Sequence, residues 1–84
     1  MNHMLEELKK NKKLVVGTKQ ALKAIKEDQV ETLFIAKDAE KHVIRNIEDA
    51  AKQKNVQIVY AESMHKLGKA CGINVKAATA VILK

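Results

Sequence analysis

Apolar residues recur along this chain in two rhythms that alternate. Unbroken or nearly unbroken apolar runs at Leu14-Val15-Val16, Val30 to Ala36, Val56 to Ala61 and Thr79 to Leu83 have the length of buried strands. Between them the spacing turns helical. Met4, Leu5 and Leu8 predict a short first helix over residues 3–11. After Gly17, Ala21, Leu22 and Ile25 gather on one side of a helix and Lys19, Gln20, Lys23 and Lys26 on the other, ending around 26–29. Val43, Ile44, Ile47, Ala50 and Ala51 make a single apolar stripe. Asp38 is the expected N-cap of that helix and Asn55 its stop. Its other face, Glu40, Lys41, Arg45, Glu48, Asp49 and Lys52, is of mixed sign, which suits packing better than binding. Ser63 caps a last helix whose buried row is Met64, Leu67 and Cys71, and Gly72 ends it in the left-handed conformation. Helix, then three strand–helix units, then a strand predicts an α/β fold in three layers, with helices on both faces of one sheet.

Length adds that 84 residues make one domain, 1–84, with a core just large enough to stand alone. Aromatic residues are 2% of the chain, so the core is Val, Ile, Leu and Ala. The same scarcity argues against binders that stack single-stranded bases on aromatic platforms. No apolar run approaches the ~18 residues of a membrane helix. The opening Met-Asn-His-Met-Leu-Glu-Glu lacks the form of a signal peptide, and a single cysteine fits a reducing compartment, so the expected location is the cytoplasm.

The net charge of +6 is unevenly spread. Residues 9–26 carry seven lysines and no acid, and residues 63–84 carry four lysines and no acid. Between them, residues 27–62 hold eight acids against five bases. Lysines keep small proteins soluble, but this segregation points to a polyanion met by the two flanks. Lys9, Lys10, Lys12 and Lys13 form a cluster that reads first as a solvated face. At Leu14 to Lys26 a strand feeds a glycine that opens a helix with a cationic exposed face. Free N–H groups, the positive end of the helix dipole and the lysines together favour an anionic ligand.

Catalytic and metal chemistry find no support. Cys71 and His65 are six residues apart and point to different sides of one helix, which leaves Cys71 as a small buried residue. His3, His42 and His65 have no pair at metal-ligand spacing. Val15-Val16-Gly17-Thr18-Lys19 lacks the long cradle of a nucleotide loop. The reading is a binding protein with no cofactor, not an enzyme. Ile73 and Val75, in the loop at 72–78, are apolar residues with no local partner.

Gly17-Thr18-Lys19-Gln20-Ala21-Leu22-Lys23 after a short apolar strand resembles the signature of the kink-turn RNA-binding ribosomal proteins, the superfamily of archaeal large-subunit protein seven-Ae and eukaryotic thirty-e. Leu67-Gly68-Lys69-Ala70-Cys71-Gly72-Ile73-Asn74-Val75 resembles the same family's helix and loop before the last strand. The seven-Ae branch has Asn then Glu at Lys19 and Gln20, so the Gly-x-Lys-Gln form is more similar to the thirty-e branch, here as a small bacterial-type stand-alone member.

The resemblance implies a three-layer α-β-α sandwich around a four-stranded mixed sheet. It also implies that the helix opening at Gly17 enters RNA at tandem sheared G·A pairs while the loop at 72–76 covers the bulged nucleotides. The implied RNA-binding residues are Gly17, Thr18, Lys19, Gln20, Lys23, Lys37, Ile73, Asn74, Val75 and Lys76. Lys19 and Gln20 are long donors suited to base edges, and Lys23, one turn on, to phosphate. Expected partners are structured RNA containing a kink-turn, in a ribosomal or riboswitch-type setting, with the protein a monomer and no membrane involved. Two other readings stay open: a protein-interaction domain of the same fold, and an auxiliary domain for an RNA-modifying enzyme.

Overall fold

The computed structural model of the chain describes residues 13–84. The helix expected at 3–11 and Lys9, Lys10 and Lys12 lie outside them. The elements are β1 (Leu14–Val16), α1 (Thr18–Lys26), β2 (Val30–Ala36), α2 (Lys41–Gln53), β3 (Gln57–Ala61), α3 (Met64–Ala70) and β4 (Thr79–Leu83). The strands form one mixed sheet in the order β1-β4-β2-β3. β4 is antiparallel to both β1 and β2, and β3 is parallel to β2. The first three strands therefore point the same way, and their carboxyl ends share an edge of the sheet with the start of β4.

Alternation along each strand sorts side chains between two cores. Phe34 and Ala36 of β2, Ala80 and Ile82 of β4 and Ala61 of β3 face α3, where Leu67 and Cys71 close over them. Leu33, Ile35 and Val81 face the other way, against Ala21 and Ile25 of α1 and Ile47 and Ala51 of α2. β2 and β4 are buried on both faces, which is why each reads as a nearly continuous apolar run. Val30 joins Leu33 and Ile35 in the α1–α2 core although its parity is opposite. A register shift explains it: Val30 pairs Leu83 and Thr32 pairs Ile82, so Glu31 is an extra, exposed residue.

The three helices of the described residues end alike. Asp28, Asn55 and Gly72 have φ of 59°, 56° and 80°, the left-handed conformation that closes a helix. In each case the next residue donates back five positions, Gln29 to the Ala24 carbonyl, Val56 to Ala51 and Ile73 to Gly68. The N-terminal assignment of Asp38 needs correction. α2 starts at Lys41 with Glu40 in the N-cap position, and Asp38 reaches a different helix, accepting from the Met64 N–H of α3 at 2.7 Å. Ser63 caps α3 as the sequence suggests, accepting from the Lys66 N–H at 3.1 Å. No helix among the described residues is long and apolar enough to cross a membrane.

Candidate nucleic-acid interface

The shared edge of the sheet collects most of the residues singled out from the sequence. β1 ends at Val16, and the Gly17 N–H donates to the Thr79 carbonyl at 3.0 Å, at the start of β4. The Thr79 hydroxyl, wholly buried, donates to Thr18 Oγ1 at 3.1 Å. At the end of β2 the Ala36 N–H bonds to the Ala78 carbonyl, and the Lys37 N–H to the Ala61 carbonyl at the end of β3. The first turn of α1, Lys37 and the 72–78 loop are thus tied to one rim, as strand direction requires. Open sheets with helices on their faces bind ligands at such rims.

Gly17 has φ 116° and ψ 143°, a conformation open essentially to glycine alone. A Cβ built there would meet nothing within 4 Å, so the approach to the helix start is clear. No side chain caps α1 and no acid lies in its first turn, leaving its positive end unneutralised. Lys19, Gln20 and Lys23 are exposed, while Thr18 is half-buried. Lys19, Lys23 and Lys26 line a shallow concavity of about 440 Å³ together with Leu22 and Glu27.

The loop after α3 is held from below. Gly72 donates to the Lys69 carbonyl, Ile73 to Gly68 and Ala77 to the Met64 carbonyl. Gly68 is where helix and loop touch: a Cβ there would sit 2.0 Å from the Val75 carbonyl oxygen. The two apolar loop residues separate clearly. Ile73 is half-buried against the α3-side core, whereas Val75 is 68% exposed. Asn74 and Lys76 are exposed beside it.

Lys37 is exposed on the same rim, close enough to Glu62 to favour its ionised form. The main influence on Glu62 is the Lys66 side chain, whose hydrogen bond and charge hold the carboxyl below its usual range. Burial pushes the Cys71 thiol upward, which disfavours the reactive thiolate, and His65 on the same helix is exposed. Among the described residues no group of three or more His, Cys, Asp or Glu side chains could hold a metal ion.

Sequence reasoning did not give three residues the roles they have at this rim. Gly68, quoted only within the family motif, had a local signal, a glycine inside a helical stretch. The contacts of Asp38, expected to cap α2, and of Thr79, expected only as a strand start, had none, because their partners lie 26 and 61 residues away.

Comparison with known proteins gives consistent relatives. An RNA-binding protein of Halalkalibacterium halodurans is 52% identical over 71 residues, which is 84% of this chain and 87% of that protein. An RNA-binding protein of Caldanaerobacter subterraneus subsp. tengcongensis is 52% identical over 68 residues, covering 81% of this chain and 83% of its own length. Among solved structures, the Giardia lamblia 15.5kD RNA binding protein superposes with a TM-score of 0.88 at 28% identity, over 96% of this chain and 71% of that one. A family model matches residues 1–84, and the chain belongs to the Ribosomal protein L7Ae/L30e/S12e/Gadd45 family.

Proposed function

We propose that this protein binds structured RNA and stabilises kink-turns, with the first turn of α1 at the tandem sheared G·A pairs and the 73–76 loop over the bulged nucleotides. The observation that carries the reading is the rim itself: strand polarity and the Gly17–Thr79 and Thr18–Thr79 bonds set an uncapped, acid-free helix start beside a loop with an exposed apolar tip. A kinked duplex brings phosphates together and opens the groove that a straight A-form helix keeps too narrow for side chains. Backbone N–H groups and Lys23 then meet phosphates, while Lys19 and Gln20 reach base edges. Val75 covers an extruded base with aliphatic surface. Binding favours the kinked state of the RNA over the extended one, and no bond is broken. Ribosomal and riboswitch-type RNAs are the settings in which such a motif is met.

The test is a titration against a kink-turn duplex, with a straight duplex of equal length as control. Preference for the kinked RNA, with affinity falling steeply as salt rises, is the expected result. Equal affinity for both would reduce the reading to non-specific binding of a basic protein.

A further inference from the structure

α3 and the 72–76 loop enclose an open groove of about 570 Å³ on the outer side of the rim, lined by His65, Lys69, Ile73, Asn74, Val75 and Lys76. We propose that this groove seats the sugar–phosphate backbone of the RNA strand as it leaves the bulge, so that the interface continues past the loop onto α3. The inference rests on the kink-turn reading and extends it to residues that reading does not use, His65 and Lys69.

Three observations carry it. The groove is continuous with the rim, because Asn74, Val75 and Lys76 belong to both. Its lining contains two lysines and no carboxylate. The lysines of α3 and its loop also differ in availability. Lys66 is tied to Glu62, four residues back, whereas Lys69 and Lys76 have no carboxylate partner among the described residues. His65 and Lys69, four apart on the helix, share one face and present donors to the same space.

The walls are also set in advance. Ile73 and Gly72 are bonded back to α3, and Gly68 lets the loop lie directly on the helix. A groove that does not need ordering loses less on binding. Its shape is open and its lysines are unopposed by any lining carboxylate, which suits a passing phosphate backbone better than an enclosed small molecule.

The experiment measures affinity against salt for the parent, Lys69→Ala, Lys66→Ala and Lys23→Ala, each checked for an unchanged melting temperature. Two RNAs are used: a kink-turn with long flanking stems, and the same motif trimmed of them. On the long RNA, Lys69→Ala should lower the log–log salt slope by about 0.7–0.9, one phosphate contact, while Lys66→Ala leaves it unchanged. On the trimmed RNA, Lys69→Ala should match the parent. An unchanged slope on the long RNA, or equal changes from Lys69→Ala and Lys66→Ala, would overturn the groove. So would equal effects of Lys69→Ala on both RNAs. If Lys23→Ala still flattens the slope and the kinked RNA is still preferred, only the groove falls. If the parent does not distinguish kinked from straight RNA, the kink-turn reading falls and the groove with it.

Discussion

Ile73 and Val75 occupy equivalent places in an apolar–polar alternation, yet the fold uses them differently. Ile73 turns under the loop against the α3-side core, and Val75 stands 68% exposed above it. Replacing each with serine should therefore separate stability from binding. Val75→Ser is expected to melt with the parent and bind kink-turn RNA less tightly. Ile73→Ser should lose stability, by less than the ~1.5–3 kcal/mol of a fully buried aliphatic side chain. Melting curves and titrations on the same preparations measure both, and loss of melting temperature in Val75→Ser would remove its role as a cover. The sequence marks both positions as unusual but cannot rank them, because what lies beneath the loop is decided by Gly68 and its contact with the Val75 carbonyl. The two interface glycines also differ. Gly17 is required by its backbone conformation, since a side chain there would meet open space, whereas Gly68 is required by the space itself.

The elements are the most legible level. Each strand among residues 13–84 falls within a residue of its apolar run, and α1, α2 and α3 follow their stripes. Local chemistry writes these boundaries: Asn55 and Gly72 are residues that tolerate a left-handed turn, and both close helices. Asp28 does the same but sits in Glu27-Asp28-Gln29, where no glycine or asparagine signals it. A β-carbon without a compensating local hydrogen bond costs about 1–2 kcal/mol in this conformation. Asn55→Ala should therefore lower stability by up to that amount, read as a lower denaturant midpoint with the same m-value. No change would mean that α2 ends without help from the turn. Asp38 marks where local reading fails. Its position before an apolar stripe has the form of an N-cap, but its carboxylate accepts from the start of α3 instead. Only the parallel pairing of β2 with β3 brings that N–H within reach.

On the scale of the whole molecule, function depends on direction. Because β1, β2 and β3 run together and β4 runs against them, the helix start at Gly17 and the loop before Thr79 share a rim although about sixty positions separate them in the chain. Gly17 and Thr18 from one acid-free segment meet Thr79 from the other there. The motif resemblance makes this rim legible, but the groove along α3 is set by the fold, since it depends on which lysine is already paired. Charge attracts any polyanion, and in the proposed mode Gln20 is an uncharged group that reaches a base edge. Gln20→Ala should weaken kink-turn binding by roughly 1–3 kcal/mol and straight-duplex binding much less. Equal losses on the two RNAs would make it a positioning residue. The placing of β4 between β1 and β2 has a further bearing on synthesis. A nascent chain that has released β1, β2 and β3 holds strands of one polarity with no central partner, and its Gly17 lacks the Thr79 carbonyl that fixes it. The rim proposed to bind RNA is therefore complete only when residues 79–83 occupy the gap between β1 and β2.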